Sequence, residues 1–156
     1  MAIIRGYECM NCHLELVDDG RLFFYDESTK QTVDFIVLMN TVGMDEGSKI
    51  KGRVHETYCA DCDKYLRVYT ICENESGIEK PLEIIREGID NYIKQLKEDN
   101  KYSSKLDSTI FLIEESNHEE VACPECGKKI NKFIGWETQC PRCGGKLAIM
   151  SDICAD

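Results

Sequence analysis

Cys123-Pro124-Glu125-Cys126-Gly127-Lys128-Lys129 and Cys140-Pro141-Arg142-Cys143-Gly144-Gly145 are the two stretches on which the reading of this chain turns. Each is a Cys-x-x-Cys step that offers two sulfurs from one tight turn. The proline stiffens the turn, and the glycine after the second cysteine lets backbone amides point at the sulfurs without a side-chain clash. Two such steps facing each other close a tetrahedron of thiolates that holds a metal ion at about 2.3 Å per bond. Working outward, the first half repeats the spacing at Cys9/Cys12 and Cys59/Cys62, with His13 and Asp63 where the later steps have glycine. Eight of the 10 cysteines thus fall into four pairs. A redox dithiol needs only one such pair, opening a helix in a strand–helix–strand setting. Four pairs point to metal.

By proximity along the chain, Cys9, Cys12, Cys59 and Cys62 are expected to form one site, and Cys123, Cys126, Cys140 and Cys143 a second. A crossed arrangement, with Cys9/Cys12 sharing an ion with a C-terminal pair, is the alternative. Four sulfurs leave no open coordination position, which counts against a hydrolytic metal centre. Cys72 ends a strand and is expected to be a small buried hydrophobe; Cys154 is expected to be exposed and incidental. Of the three histidines, His13 adjoins a ligand, His55 alternates with Thr57 in a strand, and His118 stands in an acidic stretch as a solvated residue. No catalytic residues are assigned, and the protein is expected not to be an enzyme.

The chain has 156 residues and a net charge of −10, which argues against broad binding to nucleic acid or acidic membranes. Eight thiolates and two divalent ions would bring the charge to about −14. Residues 121–156 alone are slightly positive, with 5 bases against 4 acids, so any nucleic-acid contact belongs there. Lys128, Lys129, Lys132, Phe133, Trp136 and Arg142, with Lys146, are its candidates, an aromatic ring stacking on a base of a single strand. The opening residues show no basic region followed by an apolar run. The longest apolar run, Phe35 to Met39, is too short to cross a bilayer. A cytoplasmic protein without membrane contact is expected.

Strands are expected at Ile3–Glu8, Leu14–Val17, Arg21–Tyr25, Thr32–Val42, Arg53–Tyr58, Tyr65–Ile71 and Thr109–Ile113, with a hairpin turn at Asp18-Asp19-Gly20. Leu22 and Phe24 share one face, and Leu66, Val68 and Thr70 alternate with Arg67 and Tyr69. Met44–Gly52 reads as an exposed loop. Pro81–Asn100 is the one clear helix: proline suits its first position, and Leu82, Ile85, Ile89, Tyr92, Ile93 and Leu96 make one apolar stripe. Gly88 weakens its interior by roughly 1 kcal/mol. The stripe is expected to cover the strands of the N-terminal half. Glu114 to Glu120 is acidic, offers nothing to a core, and marks a boundary. The fold class is therefore α+β: two small β-rich metal-bound units, the first with a long insertion, plus one amphipathic helix. The domains are 1–113 with the helix at 81–100, a linker at 114–120, and 121–156.

The Cys123–Gly127 and Cys140–Gly145 stretches resemble the zinc-ribbon superfamily, widespread in transcription, translation and RNA-modification proteins. The whole layout is similar to small double-ribbon proteins of anaerobic bacteria and archaea. Those open with Gly-Tyr/Phe-x-Cys-x-x-Cys, here Gly6-Tyr7-Glu8-Cys9-Met10-Asn11-Cys12, and close the first ribbon with Tyr-x-Cys-x-x-Cys, here Tyr58-Cys59-Ala60-Asp61-Cys62. The resemblance implies two zinc sites and no activity. The steps are also similar to rubredoxin, which holds iron in four sulfurs but has wider spacing and a denser aromatic core. Together these readings point to a non-enzymatic zinc-binding adaptor for a protein partner that belongs to a nucleic-acid-related assembly. A red, one-electron iron carrier is the alternative. A third reading is metal or thiol handling, with Cys72 and Cys154 as transfer ligands.

Overall fold

The structure is a computed structural model and describes residues 2–18, 21–35, 49–75, 79–115, 118–134 and 139–155. Strand β1 (Ala2–Cys9) runs into the first cysteine step and β2 (Glu15–Asp18) runs out of it. The β3 (Leu22–Asp26) and β4 (Gln31–Phe35) strands form a hairpin whose turn is held by Asp26, which accepts from the Ser28 N–H at 3.0 Å. The long hairpin β5 (Ile50–Cys59) and β6 (Lys64–Asn74) closes at the second step. Helix α1 (Pro81–Glu98), a 3-10 turn (Ser104–Ser108) and β7 (Thr109–Glu114) follow. A short hairpin, β8 (Glu120–Ala122) and β9 (Lys129–Asn131), carries the third step, and β10 (Leu147–Ala155) leaves the fourth. The chain is β-rich α+β, as expected.

Five strands in the order β4-β3-β5-β6-β7 make the main sheet. β7 lies parallel to β6, and a parallel neighbour needs a crossover, which α1 supplies. The helix covers this sheet through Ile85 and Ile89, which pack with Phe23, Ile50, Val54, Tyr69, Ile71 and Ile113. It approaches β4 closely enough for the Thr32 hydroxyl to donate to the Ile85 carbonyl at 3.0 Å. A Cβ on Gly88 would stand 2.2 Å from Thr32 Oγ1, so the glycine that weakens the isolated helix is what lets it seat. The opposite face of the sheet buries Leu66, Val68 and Ile110 under Val121 and Ile130 of the β8–β9 hairpin.

Both faces of β6 are therefore covered, and Arg67 and Tyr69, which alternate with Leu66, Val68 and Thr70, are covered as well. Arg67 is neutralised by Asp34 at 3.8 Å and Glu56 at 3.6 Å, and the Tyr69 hydroxyl donates to Asp34. Phe23 rather than Leu22 or Phe24 enters the helix-side core. The expected 18–20 hairpin does not join paired strands: β2 and β3 belong to different sheets, and residues 19–20 lie outside the described residues, as does 36–42 of the expected third strand.

The N- and C-terminal strands meet. β10 pairs antiparallel with β1 from Ala2 opposite Ala155 to Cys9 opposite Leu147, and β2 flanks β1 on its other side. Tyr7, Leu14, Leu16 and Leu147 of these segments pack with Tyr58 and Ile134. Residues 121–156 thus do not stand as a separate ribbon: the β8–β9 hairpin docks on the main sheet, and β10 completes the sheet of β1. The boundary segment also reaches the interior. Glu114 ends β7 and pairs with Lys132, whose side chain is fully buried and also donates to Thr70 Oγ1 at 3.1 Å. An acid read as linker is the partner that makes burial of a lysine possible.

Candidate metal centres

Four turns of one kind carry the eight paired cysteines. In three of them the first cysteine's carbonyl accepts from the backbone N–H of the residue after the second cysteine. His13 N–H reaches the Cys9 carbonyl at 3.0 Å, Gly127 N–H the Cys123 carbonyl at 2.8 Å, and Gly144 N–H the Cys140 carbonyl at 2.8 Å. The residue after the second cysteine takes positive φ in all four: 63° at His13, 52° at Asp63, 78° at Gly127 and 78° at Gly144. Histidine and aspartate are among the side chains that tolerate this region best, so the first two turns dispense with glycine. The geometry also aims amides at sulfur: Asn11 and Cys12 N–H lie 3.4 Å from Cys9 Sγ, and Arg142 N–H lies 3.4 Å from Cys140 Sγ.

The turns pair across the chain, not along it. Cys9, Cys12, Cys140 and Cys143 form one tetrad, and Cys59, Cys62, Cys123 and Cys126 the other, with all sulfurs of each within 4.8 Å of one another. This corrects the pairing by proximity. The physical reason is strand pairing: β1 with β10 brings the first and fourth turns together, and docking of the β8–β9 hairpin on β5 and β6 brings the second and third together. The shortest sulfur separations across the pairs are 3.4 Å for Cys9–Cys143, 3.7 Å for Cys12–Cys140, 3.5 Å for Cys59–Cys126 and 3.8 Å for Cys62–Cys123. A tetrahedral ion with 2.3 Å bonds needs sulfurs about 3.8 Å apart. Either tetrad has the donors and spacing to hold one metal ion. None of these sulfurs is in a disulfide.

Each tetrad has two buried sulfurs, one half-buried and one exposed. In the outer tetrad, that of Cys9, Cys12, Cys140 and Cys143, whose chain span encloses the inner one, the Asn11 side-chain amide, followed by the Gly145 N–H, holds the Cys143 thiol down to about 6, while burial pushes Cys12 up to about 12. Asn11 sits in the first step yet donates to a sulfur of the fourth, at 3.5 Å. It is a supporting residue that sequence reasoning missed, because its target is distant in the chain. The inner tetrad is braced by ion pairs between its two turns, Lys64 with Glu125 and Lys128 with Asp61, both at 3.5 Å. Arg142 of the outer tetrad reaches Asp63 of the inner at 3.9 Å and lies over the Tyr58 ring at 5.8 Å.

These contacts revise the expected basic surface. Lys128 and Arg142 face acids of the N-terminal half, Lys132 is buried, and Phe133 is half-buried with its ring edge-to-face on His55 at 4.8 Å. Lys129 is exposed on β9, and Trp136 lies outside the described residues. His55, expected as a surface or cross-strand residue, stands opposite Val68 across the strands and is half-buried. Cys72 is exposed rather than buried, Cys154 lies in β10 opposite Ile3, and His13 projects into solvent 3.5 Å from Glu8. Among the described residues no helix is long and apolar enough to cross a membrane. No family model, no curated protein and no solved structure matches this chain.

Proposed function

We propose that the protein is a scaffold clasped by two structural zinc ions, of zinc-ribbon type at each tetrad, acting as a non-enzymatic adaptor for a protein partner. The observation that carries this reading is that each tetrad joins a turn from the first 62 residues to one from beyond residue 122. An ion in either place is a long-range cross-link of the fold. Bound zinc supplies folding free energy there and, with four sulfurs around it, offers no open position to a substrate. The acidic body, at −10 overall, suits a partner with a basic patch, since complementary potential governs encounter and choice of partner.

Elemental analysis of untagged protein with its visible spectrum tests the metal. Two zinc per chain and no colour are expected; iron and a red protein would move the reading to electron transfer. The adaptor role is tested by affinity capture with the metal-loaded protein beside its Cys140→Ser/Cys143→Ser variant. A partner held by the first and lost by the second is expected, and equal recovery would end the adaptor reading.

A further inference from the structure

We propose that the groove between α1 and β7 is a docking site for an extended, basic segment of the partner protein, which adds to the main sheet as a strand alongside β7. The proposal rests on the adaptor reading and names the surface that reading would use. β7 is the last strand of the sheet, and among the described residues no strand pairs with its far side. An edge of this kind is a template for another chain's backbone. Beside it lies a groove of about 390 Å³ lined by Leu82, Leu112 and Ile113 and flanked by Glu83, Glu87 and Asp90, with Arg86 the one cation among them.

Two features say what fits. Glu83, Glu87 and Asp90 recur four and three residues apart, so they form one acidic line along the helix flank that faces the strand edge. Leu82, 39% exposed, is one of the few large apolar residues open to solvent among the described residues. Lysine or arginine satisfies both: the aliphatic stem lies over the apolar floor and the charged head reaches the acids. The Arg86 guanidinium donates to the Phe111 carbonyl of β7 at 2.7 Å at an exposed position, and an added strand displaces this side chain from the edge. Alternate residues of an added strand point to the same face, so the sequence that fits has a basic residue at every second position.

The test uses the full metal-loaded chain and a fluorescent acetyl-(Lys-Thr)4-amide peptide, followed by anisotropy at low salt. Three comparison peptides are N-methylated on every lysine, N-methylated on every threonine, or carry glutamate for lysine. Strand addition presents only one edge of the peptide to β7. One methylated series is therefore expected to lose binding by about tenfold or more and the other to keep it. The glutamate peptide is expected not to bind, and Glu83→Gln/Glu87→Gln/Asp90→Asn is expected to weaken the lysine peptide about tenfold. Equal loss or equal retention in both methylated series would overturn strand addition, and unchanged binding by the triple variant would overturn the site. A triple variant that loses the peptide but still captures the partner would overturn the groove as the partner's site while leaving the adaptor reading in place.

Discussion

His55 stands in β5 with the edge of the Phe133 ring against it at 4.8 Å. Burial first, then the charges of Lys132 and Arg53, lower its pKa to about 4, with Glu114 opposing them. Unfolded, the same imidazole takes up its proton near 6.5. Between those values the unfolded chain binds the proton and the folded one does not, so this residue's contribution to stability falls as the pH is lowered from about 6.5 to about 4. Allowing for solvent around a half-buried ring, the loss is about 1–2 kcal/mol. The cysteines titrate as well, so the measurement is the difference between the native protein and His55→Gln in denaturant unfolding at each pH. That difference is expected to shrink toward pH 4; a constant difference would show that His55 titrates as it does in water. In the sequence His55 was one of an alternating pair with Thr57, and nothing local told that Phe133, from a distant segment, covers it.

At the scale of elements, α1 was the most legible part of the chain. Its proline start, its target and the core of its stripe at Ile85 and Ile89 were readable, because helical periodicity is local, while Leu82 of the stripe stays exposed. The role of Gly88 was not. A helix scale favours alanine there by roughly 1 kcal/mol, but an added Cβ meets Thr32 Oγ1 at 2.2 Å and the Thr32 backbone nitrogen at 2.8 Å. The backbone contact cannot be relieved by a rotamer change, so α1 would have to lift from β4. Gly88→Ala is expected to destabilise the protein by about 1–3 kcal/mol net, the range for overpacking a closed contact, read from denaturant midpoints. A more stable variant would mean that propensity outweighs the contact. β6 shows the same limit from the other side: its alternation was visible, but that both alternating sets are covered, one by α1 and one by the β8–β9 hairpin, followed only from the sheet order.

For the molecule as a whole, the decisive property is nesting: the tetrad of Cys59, Cys62, Cys123 and Cys126 lies inside the chain span bounded by the other. Quadruple variants separate this from pairing by proximity. Changing Cys9, Cys12, Cys140 and Cys143 to serine is expected to leave one metal per chain, because only the outer tetrad is lost. Changing Cys9, Cys12, Cys59 and Cys62 is expected to leave none, since each tetrad loses half its sulfurs. Elemental analysis of the purified variants reads the result, and one retained metal in Cys9→Ser/Cys12→Ser/Cys59→Ser/Cys62→Ser would restore the proximity pairing. The sequence by itself determined which eight residues carry the chemistry, since a Cys-x-x-Cys turn needs only its own few residues to aim two sulfurs. It also determined the helix and most strands, whose patterns are equally short-ranged. Which pair faces which was decided by the tertiary structure alone. Each turn supplies half a tetrahedron of the same shape, so the local chemistry is indifferent to its partner, and the choice falls to β1 meeting β10 and the β8–β9 hairpin burying Leu66 and Val68.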